Sequence, residues 1–165
     1  MNDDIMDFEE KVKQWLSEED LLREMKYDEN ADFHFIIEFP KENIMDVVKP
    51  KGKDCLVLAC ATQVAPQHLN LMNAADAKTR REFLMGLNFG FNSFLVDFEL
   101  QIANDILQQF VITDQIFEDG LTKHELIKTL KRIFKAKLHC IWLIDEKFGS
   151  VSITPNPSNE NDMFI

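Results

Sequence analysis

The sequence predicts an α+β domain, an antiparallel sheet of five or six strands packed with three helices in the order α-β-β-β-α-β-β-α. Three observations carry this. Apolar residues recur at helical spacing near the start, in the middle and near the end of the chain. Runs of strict alternation, the mark of half-buried strands, lie between them. The strand-like runs are joined by short turns, which suit antiparallel neighbours, whereas parallel pairs need long crossovers. An extra edge strand after the first helix is left open.

Each element has its own warrant. Ile5, Phe8, Val12, Trp15 and Leu16 form one apolar helical stripe, with Asp3 or Asp4 available as N-cap. Ser17 to Asp20 breaks this helix, and Leu21 to Tyr27 either extends it or forms a short edge strand. Phe33, Phe35, Ile37 and Phe39 alternate with Asp32, His34, Ile36 and Glu38 until Pro40 stops the strand. A second strand spans Ile44 to Val48 and ends at Pro50-Lys51-Gly52. The third, Cys55 to Ala61, is apolar on both faces, which predicts a central strand with something covering each side.

Pro66 suits the first turn of a helix that runs to about Gly90, with weak patterning between Ala74 and Arg81 where a break is expected. Gly86 and Gly90 stand four apart, and the favoured reading is a C-terminal cap at one of them rather than a close-packing motif. Phe94 to Ile102 alternates cleanly and returns through a strand from Leu107 to Phe117. If Asn104 and Asp105 alone formed the loop, Phe98 would pair with Val111 and Phe110 would face the acidic side. A loop of odd length instead places Phe98, Leu100, Phe110 and Ile112 on one buried face, and that is the expectation. The last helix starts at a capping box, Thr122 with Glu125, and Leu121 and Leu126 stand where a hydrophobic staple belongs. Its stripe runs through Leu130, Ile133, Phe134, Leu138 and Ile141 to about Leu143. Residues 1–149 are read as one domain and 150–165 as a mobile tail, whose apolar end Met163-Phe164-Ile165 is read as frayed.

Composition bounds the function. With 165 residues, 45% hydrophobic and 28% charged, the chain has an ordinary globular make-up. Its formal net charge of −11 opposes contact with phosphate backbones. The one dense basic stretch (Lys128, Lys131, Arg132, Lys135 and Lys137) reads as the solvated face of a helix, so no nucleic-acid partner is expected. The N-terminus is acidic where a signal peptide is basic, and no apolar run approaches the ~18 residues of a membrane span. Cys55, Cys60 and Cys140 are an odd count without framework spacing, which reads as free thiols in a reducing cytoplasm.

The first helix ending Val12-Lys13-Gln14-Trp15-Leu16, the strand Phe33-His34-Phe35, and Asp119-Gly120-Leu121-Thr122 before the last helix carry a resemblance. With the element order, they resemble the type III secretion chaperone-like fold, including the YbjN-like proteins, and more closely a family of uncharacterised, mainly archaeal proteins of that arrangement. The likeness covers roughly residues 5–148. It implies a dimer that binds extended segments of partner proteins, and it transfers no catalytic residue.

The residues themselves announce no chemistry. His34, His68, His124 and His139 show no Cys-x-x-Cys or His-x-x-x-His spacing, so no metal and no cofactor is expected. No serine occupies a Gly-x-Ser-x-Gly elbow, and the five glycines form no phosphate-cradling loop. The reading is a non-enzymatic, cytoplasmic protein-binding or chaperone-like module. The alternative is a small-molecule-binding protein, or an enzyme whose site no motif reveals. Self-association is expected through the region from Pro66 to Phe94, centred on Phe89 and Phe91 beside Gly90.

Overall fold

The computed structural model describes residues 7–150, and in them a six-stranded antiparallel sheet carries four α-helices on one face. The elements are α1 (Phe8–Glu18), β1 (Leu22–Met25), β2 (Ala31–Glu38), β3 (Ile44–Pro50), β4 (Cys55–Gln63), α2 (Pro66–Ala74), α3 (Ala77–Ser93), β5 (Asp97–Ala103), β6 (Ile106–Phe117) and α4 (Lys123–Phe148). The strand order is β1-β2-β3-β4-β6-β5, with every neighbour antiparallel. The α+β class holds, and the segment after α1 resolves to the edge strand β1. Asp3, Asp4, Ile5 and the tail from 151 onward lie outside the described residues. The helix α1 starts at Phe8, and Asp7 stands at its N-cap.

β4 is central, between β3 and β6, as its two apolar faces require. Leu56, Leu58 and Cys60 point into the helical layer beside Phe35, Ile37, Met45, Val47, Phe110 and Ile112. The helix α4 crosses β6 and β4 and buries Leu126, Leu130, Ile133, Ala136, Cys140 and Ile144. Thr122 Oγ1 accepts from the Glu125 N–H at 3.1 Å, so the Thr122 half of the expected capping box forms. At the other end of the sheet, α1 closes the core with Val12 and Leu16, and Phe8 lies 5.8 Å from Phe33 between ring centroids.

The break expected between Ala74 and Arg81 is present, and it raises the helix count from the expected three to four. The helix after Pro66 is two helices, because Asp76 ends the first and caps the second by accepting from the Thr79 N–H at 2.7 Å. Gly86 and Gly90 are interior to α3, so neither is a cap. They are where α4 approaches: a Cβ on Gly86 would meet Leu143, and one on Gly90 would meet the His139 ring. The close-packing role therefore prevails, strictly at Gly90, where a side chain would collide with the ring, and loosely at Gly86, where Leu143 can shift.

The β5–β6 hairpin reaches the expected face by another route. Phe98 pairs with Ile112 and Leu100 with Phe110, but the loop is the two residues Asn104 and Asp105. Both have positive φ, 52° and 60°, as a tight primed turn demands. The register is restored by a bulge at Gln108, between the pairs Gln101–Gln109 and Ile102–Leu107. One extra residue in the strand does what an odd-length loop would have done.

Candidate interaction surface

Because strand side chains alternate, the register places a second set of residues on the face that the helices leave bare. One row across it is Ile36, Asp46, Ala59, Thr113 and Asp97, and another is His34, Val48, Val57 and Gln115. A third runs through Ala61, Val111 and Glu99. Ile36, Val48, Val57, Ala59 and Val111 are half-buried and form an apolar strip along the middle of the sheet. Among the described residues no element lies over it, so of the two covers expected for β4 the described chain supplies one. The strip keeps β4 apolar on this face although only its own neighbours shield it. Acids and amides rim the strip, with Asp97, Glu99 and Gln101 exposed along β5 and Glu24 exposed on β1.

His34 anchors one end of this face. Its Nε2 is 2.6 Å from Asp46 Oδ1 and its Nδ1 is 3.3 Å from Asp28 Oδ2, so both ring nitrogens face carboxylates. The Asn30 N–H, and after it His34, hold the Asp28 carboxyl below its ordinary range. The arrangement ties the β1–β2 turn to β3 across β2. The other histidines are scattered. His68 Nε2 stands 3.5 Å from Asp145 Oδ1, too far for a good hydrogen bond, and His139 is wedged against Gly90 and Phe94. No group of three or more His, Cys, Asp or Glu that could hold a metal ion occurs among the described residues.

All three cysteines are free and buried. Burial pushes the Cys140 thiol up to about 12 and also raises Cys60. A thiol-reactive disulfide reagent at mildly alkaline pH is therefore expected to modify none of the three in the folded protein and all three after denaturation. Fast reaction of any one without denaturant would show that the core opens locally.

The expected self-association pair divides. Phe89 is 68% exposed on the outer side of α3, whereas Phe91 is 0% exposed, its ring 5.1 Å from Phe98 and 6.0 Å from Phe110. Two positions on a helix differ by about 200° in direction, so one of the two had to face inward. Met85 on α3 and Trp142 on α4 are also exposed, and they lie near the stretch where Gly86 and Gly90 meet Leu143 and His139. Trp142 escaped notice in the sequence because it stands between Ile141 and Leu143, inside an otherwise regular apolar stripe.

Two hollows among the described residues bear on ligand binding. One, of about 160 Å³, lies near His34 and Tyr27, and the other, of about 570 Å³, is an open depression edged by Asp54, Phe117, Glu118 and Asp119. Neither combines an enclosing apolar wall with convergent polar groups. No described helix is long and apolar enough to cross a membrane.

Comparison with known proteins agrees with this architecture. No curated protein matches the chain. A crystal structure of an uncharacterized protein from Methanothermobacter thermautotrophicus is 42% identical, over 84% of this chain and 96% of that one, with a TM-score of 0.81. The crystal structure of the ExsC–ExsE complex contains a chain 19% identical, over 84% of this chain and 97% of that one, with a TM-score of 0.54; that likeness concerns the fold. YbjN from E. coli is 16% identical over 82% of this chain and 87% of its own, and its TM-score of 0.42 carries no argument. The resemblance expected from the sequence is met in the archaeal structure and in the fold shared with the ExsC–ExsE chain. A family model described as "Uncharacterized conserved protein (DUF2299)" matches residues 8–144, and the chain belongs to that family.

Proposed function

We propose that the protein is a non-enzymatic, cytoplasmic protein-binding module of chaperone-like type that works as a homodimer. The observation that carries the reading is the bare sheet face, where Ile36, Val48, Val57, Ala59 and Val111 make a continuous apolar strip that no described part of the chain covers. An apolar strip with a polar rim is the usual anatomy of a protein-binding surface. The ExsC–ExsE structure, a complex of two proteins, supports the reading by analogy of fold. Self-association is assigned to the outer surface of α3 and α4, where Phe89, Met85 and Trp142 are exposed.

A photo-cross-linking residue in place of Val57 tests the first part in living cells. It is expected to capture a discrete protein, while the same residue in place of Lys13, exposed on the helical side, captures none. Equal capture from both positions, or from neither, would remove the reading. For the second part, light scattering at tens of micromolar is expected to report a dimer that Phe89→Ser with Trp142→Ser converts to monomer.

A further inference from the structure

We propose that the free edge of β5 receives an extended, cationic segment of a partner polypeptide, with basic and apolar side chains alternating, as an added strand. The inference deepens the partner-binding reading and rests on it.

The two edges of the sheet differ in a way that singles out β5. The strand β1 has four residues and is irregular at Arg23. Arg23 folds back there, its guanidinium donating to the Asp20 and Leu22 carbonyls at 2.8 and 3.2 Å and to Glu38 at 2.9 Å. A short, bulged, charged edge of this kind resists pairing with another chain. β5 has seven residues and contains no proline, lysine or arginine. Its hairpin bulge is carried by β6, so β5 itself stays regular. Among the described residues its backbone bonds to no element other than β6. That leaves a row of N–H and C=O groups free to template a strand.

The side chains state what kind of strand fits. On the bare face Asp97, Glu99 and Gln101 sit opposite Thr113, Val111 and Gln109, so no cation lies across from either carboxylate. Neither Asp97 nor Glu99 makes an ion pair among the described residues. On the helical face Phe98 and Leu100 are half-buried and Ile102 is 46% exposed, an apolar ledge continuing past the last covered strand. A strand laid along β5 would put alternate side chains on this ledge and the others beside Asp97 and Glu99. Lysine or arginine at the second set, with valine- or leucine-like residues at the first, satisfies both faces.

A second copy of the chain fits poorly. Two β5 edges paired antiparallel about a two-fold axis keep their bare faces on the same side. Asp97 and Glu99 of one copy would then stand among those of the other, and like charges on facing strands repel. The acidic row thus argues for a basic guest and against self-pairing.

The probe is a peptide of about eight residues alternating lysine and valine, the length of a full strand. Amide chemical-shift mapping is expected to place it on β5, with slowed hydrogen exchange of β5 amides. Asp97→Lys with Glu99→Lys should weaken it at least about tenfold and admit a glutamate–valine peptide instead, since charge complementarity sets partner choice. Glu9→Gln with Glu10→Gln, on α1, should change nothing. The same lysine–valine peptide, N-methylated on the residues whose N–H would face β5, separates strand addition from general attraction to an acidic protein. Equal binding of the methylated form, or shifts away from β5, overturns the proposal. If the peptide fails while the Val57 cross-link persists, the edge is wrong and partner binding stands; if both fail, both fall.

Discussion

Phe91→Ala is expected to destabilise the fold by about 3–5 kcal/mol, the cost of emptying a phenylalanine-sized volume in a packed core. Phe89→Ser, two residues away, should stay within about 0.5 kcal/mol of the parent, as surface changes do. Phe91 ties the inner face of α3 to the hairpin, its ring against Phe98 of β5 and Phe110 of β6. Its loss removes contacts to two strands at once, and both rings are held in the packed layer between helix and sheet. Phe89 touches mainly solvent on the outer side of the same helix. Denaturant melts of the two variants check this directly. Equal, small losses in both would mean that α3 is rotated relative to the sheet from the position described. The pair of variants also separates association from folding, because the Phe89 change alone can move the monomer–dimer balance without disturbing the core.

How far the sequence could be read follows from which interactions are local. The alternation from Phe98 to Ile102 and the cap at Thr122 depend on neighbours in the chain, and both are realised. The strand starts only at Asp97, because Phe94 still closes α3 and Leu95 turns the chain with a φ of 58°. The phase of the hairpin was legible too, but not its means. Asn104 and Asp105 suit a tight turn, while the apolar pattern demands an odd offset; only a bulge at Gln108 satisfies both, and no residue type marks a bulge there. The bare face was half legible. Each strand's polar side could be named, yet the strip Ile36–Val48–Val57–Ala59–Val111 exists only once the strands are set side by side. Which face the helices cover is likewise decided by long-range packing, so β4's doubly apolar pattern suggested two covers where the described chain supplies one. The same limit hid the asymmetry of the edges, since β5 precedes β6 in sequence but lies outside it in the sheet.

Gly90→Ala is expected to lower stability by about 1–2 kcal/mol even though alanine is the better helix former, because the overpacking cost of about 1–3 kcal/mol outweighs a propensity gain of up to about 1 kcal/mol. A methyl group at this position would collide with the His139 ring, coming to 2.5 Å from Cδ2. The ring has little room to yield, for it packs 5.8 Å from Phe94 between centroids and its Nε2 is buried without a hydrogen-bond partner. Gly86→Ala is the control. Its added methyl would sit 3.1 Å from Leu143 Cδ2, the far end of a flexible side chain that can shift by a few tenths of an ångström. There propensity should win, leaving stability unchanged or slightly raised. The decisive variant is His139→Ala, which removes the obstacle. In that background Gly90→Ala should lose its penalty, giving a coupling of about 1–2 kcal/mol in the double-mutant cycle, as expected of residues in direct contact. A Gly90→Ala penalty that persists without the His139 ring would show that the close approach of α3 and α4 is set by backbone against backbone, and not by this side chain seated over a glycine.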